Sequence, residues 1–158
     1  MQKHFTARNP DFRKQVEKSF AAQGFMRLLG ARLTALEAGF CEIHLPYREE
    51  LTQQHGYFHG GVVATLADNA GGYAGASLMA DDCAVLTVEF KVNLLAPAQG
   101  DKLLARGRVV KSGRTLTITH TDVFAMREET EILCATSLQT LMFLQGRPDV
   151  VSDKADVQ

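Results

Sequence analysis

The spacing of hydrophobic residues along the chain predicts where its helices and strands lie. After Asn9-Pro10, a pair typical of helix starts, Phe12, Val16 and Phe20 recur every four residues. One face of this segment is therefore apolar, which predicts an amphipathic helix that ends near Gln23-Gly24.

Alternation of apolar and polar residues predicts strands on both sides of a second, longer helix. A short apolar segment at residues 25–29 leads into a predicted hairpin at residues 31–45, which turns at Ala38-Gly39. Residues 51–58 have no periodicity and are predicted to form a loop, and the longer helix covers residues 59–76. The later alternating runs are 83–97, 102–110, 115–126 and 131–144. In the first of these runs, strict alternation predicts an apolar face of Leu86, Val88, Phe90, Val92 and Leu94 and a polar face of Thr87, Glu89, Lys91 and Asn93.

The order of these elements predicts an α+β fold, in which the last four strands follow one another as an antiparallel meander and one central helix packs on the sheet. Residues 1–145 are expected to form a single domain that includes the N-terminal helical region, residues 9–29, because domains commonly contain about 100 to 200 residues. The polar residues 146–158 are expected to form a frayed tail.

The composition argues against several classes of function. Hydrophobic residues make up 46% of the chain and the formal net charge is -1, so the basic excess typical of nucleic-acid-binding proteins is missing. No apolar run approaches the roughly 20 residues that span a bilayer, and no signal peptide is recognised, so we expect a cytoplasmic protein without a membrane partner. The three widely spaced cysteines indicate neither a disulfide framework nor a zinc site.

The long helix contains one carboxylate, Asp68, and no Lys, Arg or Glu between Gly60 and Ala80. A helical projection places an apolar stripe on the side predicted to face the sheet, formed by Val63, Leu66, Ala67, Ala70 and Ala74. The opposite side collects Asp68 with small residues, namely Ala64, Gly71, Gly72 and Gly75. Each helical glycine costs up to about 1 kcal/mol relative to alanine. We therefore expect backbone, a second subunit or a ligand to approach this side closely, with Asp68 either a hydrogen-bonded structural carboxylate or a reactive group.

The start of the long helix offers a second chemical feature, His59-Gly60-Gly61. The first N–H groups of a helix have no intrahelical partner, and glycines let an acyl oxygen approach them, so this end can stabilise an oxyanion. Gly60 and Asp68 are eight residues apart, which is roughly 12 Å along one helix. If both groups act on one carbonyl, they must come from different subunits, most simply across a two-fold axis.

These residues together resemble the hotdog-fold acyl-CoA thioesterases of the phenylacetate-degradation (PaaI-like) type. The resemblance covers about residues 25–144, and its core motif is HGGxxxxLAD. The segments that carry it are His59-Gly60-Gly61, Leu66-Ala67-Asp68-Asn69-Ala70, Leu95-Ala96-Pro97, Gly100-Asp101 and Lys111-Ser112-Gly113-Arg114-Thr115. It implies a curved sheet around the long helix, edge-to-edge homodimers and often a dimer of dimers.

The resemblance also implies an activity and roles for individual residues. The reaction is the hydrolysis of an acyl-CoA to a free acid and CoA, without a metal or a cofactor. Asp68 would be the nucleophile or general base, and Gly60 would donate the oxyanion N–H. His59 would help to shape that hole, Gln53 would lie near the reacting carbonyl, and Thr87 would assist the carboxylate or water.

Two further parts of the sequence bear on ligand binding. The predicted turn with Ser112, Gly113 and Arg114 is a candidate contact for the CoA phosphates through charge and backbone N–H groups, although an arginine at a hairpin tip is often merely solvated. His55 and His59 have the spacing of a helical zinc pair, but Gly56 and the predicted loop argue against a metal site.

Two other functions stay open at this stage. The first is a hotdog-type acyl-thioester hydratase or dehydratase, which would need a His paired with an acidic residue in a motif that is not found around His59. The second is a non-catalytic acyl-CoA sensor, which would keep the pocket but would not need Asp68.

Overall fold

The computed structural model describes residues 4–147 and 149–150. Its helices are α1 (Phe12–Ala22), α2 (Gly24–Leu29) and α3 (Gly60–Ala76), with a short 3₁₀ helix at Glu49–Leu51. Its strands are β1 (Arg32–Glu37), β2 (Phe40–Pro46), β3 (Cys83–Leu94), β4 (Lys102–Ser112), β5 (Leu116–Arg127) and β6 (Thr130–Gln145).

The six strands form one antiparallel sheet in the order β1-β2-β4-β5-β6-β3. Strand β3 therefore lies at one edge and β1 at the other. The predicted meander of the last four strands is wrong for β3, which pairs with β6 and not with β4, because β4 pairs with β2 instead. Helix α3 contacts β2, β3, β4, β5 and β6, so it lies across one face of the sheet. The predicted α+β arrangement, an antiparallel sheet around one long helix, is confirmed.

The N-terminal helical region differs in detail from the prediction. Helix α1 begins at Phe12 rather than at Pro10, because the side chain of Asn9 accepts the backbone N–H of Asp11 (2.9 Å) and holds the preceding residues in a turn. The apolar segment at residues 25–29, predicted only as a connection, is helix α2. The extended backbone of Gln23 (φ -70°, ψ 106°) separates the two helices.

The small residues of α3 do not all point away from the sheet, as the helical projection predicted. Gly71 and Gly75 are buried against it. A Cβ atom on Gly71 would lie 2.1 Å from Oε1 of Gln139, and one on Gly75 would lie 2.3 Å from Cδ1 of Leu141. The close approach expected for this side of the helix therefore comes, at these two glycines, from the protein's own sheet and not from a second subunit or a ligand. Gly72 has no atom within 4 Å of an added Cβ among the described residues.

The strict alternation predicted for β3 is broken by a β-bulge. Thr87 pairs with Leu141 of β6 and Glu89 pairs with Thr140, which leaves Val88 as the extra residue. Directly paired residues of an antiparallel sheet project to the same face. Thr87 therefore shares the helix-facing side of the sheet with Phe90, and its predicted place on the opposite face is wrong.

The predicted tail, residues 146–158, lies mostly outside the described residues. Within the described part, Gly146 has a positive φ of 71°, and Asp149 and Val150 line a cavity beside α1 and α3.

Candidate active site

Asp68 lies in the middle of α3 and is half-buried beside the edge strand β3. Its Oδ1 accepts a hydrogen bond from the Thr87 hydroxyl (2.8 Å) and another from Nε2 of Gln139 (2.5 Å). The bulge at Val88 makes the first contact possible, because it brings Thr87 to the helix-facing side. The structure thus places Asp68 and Thr87 together, as the resemblance implied.

Gln139 belongs to this cluster and was missed in the sequence. It lies on β6 with 2% of its surface exposed, and its Oε1 accepts a hydrogen bond from the Thr119 hydroxyl (3.0 Å). A signal was present, since alternation along β6 puts Gln139 on the same face as the buried Ala135 and Leu141. A glutamine at a buried strand position needs hydrogen-bond partners, and Asp68 is one of them.

The electrostatic environment of Asp68 disfavours its charge. Burial raises the pKa of the Asp68 carboxyl above its usual range, and the hydrogen bond from Thr87 opposes this rise. Among the described residues, no Lys, Arg or His forms an ion pair with Asp68. Because no cation stabilises the charge of this carboxylate, its ionised form is more reactive. It is therefore chemically suited to act as a base or a nucleophile.

The first turn of α3 leaves one backbone N–H available. His59 is the N-cap, and its Nδ1 accepts the N–H of Gly61 (2.9 Å). The N–H groups of Val62 and Val63 bond to the carbonyl of His59 (2.9 and 3.1 Å). The N–H of Gly60 forms no hydrogen bond with any residue that the structure describes. Of the two glycines, Gly60 is thus the one whose N–H can donate a hydrogen bond to an oxyanion.

Gln53 lies near Gly60, in the loop that precedes α3. The loop is compact: Gln53 N–H donates to the Tyr57 carbonyl (2.9 Å), and the Gln53 side-chain oxygen accepts the N–H of His55. Gln53 and Gly60 line the same cavity of about 420 Å³, which Leu94 of β3 also borders. The structure therefore groups Gln53, His59 and Gly60 at the start of α3.

The two groups of residues open onto different cavities of the protomer. Asp68 and Thr87 line a cavity of about 460 Å³ between α1, α3 and β3, whereas Gln53 and Gly60 line the other. The separation agrees with the roughly 12 Å rise of eight helical residues. Within the described chain, one substrate carbonyl cannot contact both Asp68 and the Gly60 N–H.

The predicted CoA-binding turn lies at the tip of the β4–β5 hairpin. Ser112 is joined to Thr87 through the paired residues Thr117 and Leu141, so three strand spacings of about 4.8 Å, roughly 14 Å, separate them. The N–H of Gly113 donates to the Leu116 carbonyl (2.8 Å). This N–H closes the turn, so the predicted phosphate contact, which stays a prediction, would depend on the charge of Arg114 and on other N–H groups of the turn.

Arg114 remains exposed at this hairpin tip. The carbonyl of Gly113 accepts a long hydrogen bond from the Arg8 side chain (3.5 Å), which brings a second guanidinium to the turn. The positive charge for the predicted CoA phosphate contact is thus present at the turn, although the Gly113 N–H is used.

Among the described residues there is neither a membrane-spanning helix nor a cluster of metal-binding side chains. None of the helices in residues 4–147 combines the length and hydrophobicity that a membrane-spanning helix requires. The same part of the chain contains no cluster of three or more His, Cys, Asp or Glu side chains placed to bind a metal ion.

Comparison with known proteins places this chain among thioesterases. Residues 55–132 match the family model described as Thioesterase superfamily. Acyl-coenzyme A thioesterase 13 of Homo sapiens is 30% identical over 128 residues, which cover 75% of this chain and 85% of that protein. A thioesterase family protein from Silicibacter pomeroyi, known from a crystal structure, is 49% identical with a TM-score of 0.84 and covers 85% of this chain and 99% of that one.

The PaaI protein of the E. coli phenylacetic acid degradation operon shares the fold. Its TM-score is 0.75 at 18% identity, over 87% of this chain and 96% of that one. The predicted hotdog fold and the predicted enzyme class, a thioester hydrolase, are confirmed. The matched range contains Gly60, Asp68 and Thr87, whereas Gln139 lies beyond it. The chain therefore belongs to the Thioesterase superfamily.

Proposed function

We propose that this protein hydrolyses acyl-CoA thioesters to a free carboxylic acid and CoA, with Asp68 as the reacting carboxylate. The observation that carries the proposal is a half-buried carboxylate without a cationic partner among the described residues, which opens onto a cavity of about 460 Å³. The similarity to an acyl-coenzyme A thioesterase supports CoA as the thiol part of the substrate. CoA is then part of the substrate, and the reaction needs no cofactor.

The chemistry can follow one of two balanced routes. Asp68 attacks the thioester carbonyl, the oxyanion collapses, and the C–S bond breaks to release the CoA thiolate and leave an Asp68 acyl anhydride, which water then hydrolyses. Alternatively, Asp68 takes a proton from water, the resulting hydroxide attacks the carbonyl, and the thiolate leaves. The parent thiol has a pKa of about 8.5, so the thiolate leaves with little help from a general acid.

The oxyanion would be stabilised by the Gly60 N–H of a second protomer. Strand β3 is an edge of the sheet, and its side chains Leu86, Val88 and Phe90 are 52%, 56% and 43% exposed. Long exposed apolar edge strands are usually covered. Antiparallel pairing of β3 with its copy, about a two-fold axis at Lys91 and with Val88 as the extra residue of the bulge, would bring Thr87 opposite the partner's Leu94.

This pairing would merge the two cavities into one composite site. Thr87 borders the Asp68 cavity, and Leu94 borders the cavity that contains Gly60 and Gln53. A homodimer would thus contain two equivalent sites, each built from both chains. His59 would keep the Gly61 N–H engaged, and Gln53 would approach the substrate carbonyl from the same side as Gly60. The dimer of dimers implied by the family resemblance stays a prediction.

Thiol release from purified protein tests the activity. CoA thioesters with short, medium, long and aryl acyl groups are assayed with a disulfide reagent, while light scattering after size-exclusion chromatography gives the oligomeric state. We expect CoA release from at least one acyl group by a dimer or a tetramer. Hydration of crotonyl-CoA without CoA release would indicate the hydratase instead, and binding of every acyl-CoA without turnover would indicate a sensor.

Gly72 is expected to set the size of acyl group that the Asp68 cavity accepts. It lines that cavity, and an added Cβ would meet open space. Gly72→Leu should therefore lower kcat/KM for long or aryl acyl-CoAs by roughly tenfold or more relative to acetyl-CoA, because lost pocket volume discriminates by size. Gly72→Ala is the matched control and should change the ratio less. An unchanged ratio in Gly72→Leu would place the acyl group elsewhere.

Arg114 is expected to contact the CoA phosphates. Arg114→Gln should raise KM for an acyl-CoA by about two- to fivefold, the effect of losing one exposed ion pair. KM for the corresponding acyl-pantetheine, which lacks the nucleotide, should not change. Arg127→Gln, at the exposed turn between β5 and β6, serves as a control. An equal rise for both substrates would argue against a phosphate contact.

A further inference from the structure

Gln139 is the most completely enclosed polar side chain in contact with Asp68. Its Nε2 carries two hydrogens and lies within hydrogen-bond distance of three acceptors: Asp68 Oδ1 at 2.5 Å, Thr87 Oγ1 at 3.0 Å and the Asp68 backbone carbonyl at 3.2 Å. Only 2% of the residue is exposed. A buried amide with this set of partners fixes the carboxylate relative to both β3 and its own helix backbone.

The orientation of the Gln139 amide is determined by its other end. Oε1 accepts the Thr119 hydroxyl at 3.0 Å, in a space that exists because residue 71 is glycine. A reversed amide would place its oxygen against the Asp68 carboxylate and would lose the bond from Thr119. The side chain therefore presents Nε2, the donor, to Asp68.

The two carboxylate oxygens of Asp68 differ as a result. Oδ1 accepts hydrogen bonds from both Thr87 and Gln139, whereas Oδ2 accepts none from the residues that the structure describes. We propose that Gln139 is a positioning residue, which with Thr87 holds Oδ1 so that Oδ2 is the oxygen that attacks the thioester or takes the proton of water. This inference rests on the proposed function of Asp68.

Few other charges face Asp68. Among the described residues that line its cavity, the titratable groups are the Tyr73 phenol on α3 and the Asp149 carboxyl. Helix α1 and the residue after it contribute the neutral side chains of Ser19, Ala22 and Gln23, and the two facing strands contribute Val85, Thr87 and Gln139. Hydrogen bonding from Gln139 and Thr87 is thus the main described interaction that favours the ionised form of Asp68.

Loss of the Gln139 N–H donor is expected to change the pKa of the Asp68 carboxyl in one direction. Hydrogen bonds to a carboxylate stabilise the charged form, so their removal raises the pKa of the carboxyl. The acid limb of the pH profile, on which Asp68 must lose its proton, should move to higher pH. A residue that only filled space would leave this limb in place when replaced by one of similar size.

The test compares pH profiles of kcat/KM for an acyl-CoA that the wild type hydrolyses, followed through the ultraviolet absorbance of the thioester. Gln139→Met keeps the length of the side chain without its N–H groups, and Thr119→Val removes the group that orients the amide. Thr121→Val is the matched control, because Thr121 is equally buried on the same strand face and has no hydrogen bond to Gln139. Asp149→Asn separately tests the second carboxyl.

We expect Gln139→Met to move the acid limb upward by about one pH unit and to lower the plateau roughly tenfold, since the carboxylate is less well oriented. Thr119→Val should give a smaller shift in the same direction, Thr119→Ser should restore the wild-type profile, and Thr121→Val and Asp149→Asn should not move the limb. An acid limb in Gln139→Met that coincides with the wild type would overturn the inference.

The other variants also distinguish a positioning role of Gln139 from a packing role. An equal shift in Thr121→Val would mean that the effect is one of packing, and would overturn the inference as well. If Gln139→Met does not fold, the Thr119→Val and Thr119→Ser pair carries the test. Full activity in Asp68→Asn would overturn the proposed function itself, whereas an inactive Asp68→Asn with an unshifted Gln139→Met would overturn only the role of Gln139.

Discussion

Asp68→Asn is expected to lower kcat for acyl-CoA hydrolysis by about a thousandfold, within the range that loss of a catalytic base or nucleophile produces. An amide can neither attack the thioester nor take a proton from water. Its oxygen can still accept the hydrogen bonds from Thr87 and Gln139, so the local structure should survive. Thiol release at saturating acyl-CoA measures the effect, with Asp68→Ala as the variant that also removes these bonds.

The thermal stability of the same variant provides its control. Burial raises the folded-state pKa of Asp68 above the unfolded value of about 3.9, so the ionised carboxylate disfavours the folded state at pH values above the folded pKa. Asp68→Asn should therefore have a higher Tm than the wild type at pH 8. The difference should shrink as the pH falls through the folded pKa towards the unfolded one. Wild-type turnover in folded Asp68→Asn and Asp68→Ala would remove Asp68 from the chemistry.

Gly60→Pro is expected to lower kcat by about a hundredfold or more, whereas Gly60→Ala should lower it much less. Proline removes the backbone N–H that is proposed to hold the oxyanion. Gly60 is the first residue of α3, where proline is favoured, and His59 before it has the extended backbone (φ -61°, ψ 138°) that a residue preceding proline prefers. Both variants place a Cβ 3.1 Å from Leu94, so the N–H is the intended difference between them.

Mixing two inactive variants tests whether the site is shared between subunits. Asp68→Asn and Gly60→Pro are unfolded together at equal concentrations and refolded, so that their chains assort at random. Half of the dimers are then mixed, and each has one site that combines an intact Asp68 with an intact Gly60. Roughly a quarter of the wild-type activity should return. No return of activity from a mixture shown to contain mixed dimers would mean that the site is not shared between subunits.

The features that the sequence predicted correctly depend on local patterns. The hairpin at β1 and β2, the long helix and its single carboxylate follow from periodicity and composition over short stretches. The choice of Gly60 over Gly61 came from the family resemblance and stays a prediction, although the His59 side chain occupies the N–H of Gly61, which is compatible with it. The prediction that Asp68 and Gly60 lie too far apart to share a ligand needed only the rise per residue of a helix.

The features that were missed depend on contacts between distant segments. A bulge adds one residue without changing the composition of a strand, so strict alternation placed Thr87 on the wrong face. A helical projection assigns Gly71 and Gly75 to a side of α3, but the extent of contact depends on how the sheet wraps the helix. Gln139 lies 71 positions after Asp68 along the chain, and no local pattern connects their side chains.

Gly71 and Gly72 are neighbours in the sequence but differ greatly in the substitutions that they tolerate. Any side chain at residue 71 would collide with the Gln139 amide, whereas residue 72 opens onto the cavity beside Asp68. In a directed-evolution experiment that selects for new acyl groups, variation should accumulate at residue 72 and on the facing turn of α1, while residue 71 stays fixed. We therefore expect such selection to change substrate preference while the hydrogen bonds around Asp68 are preserved.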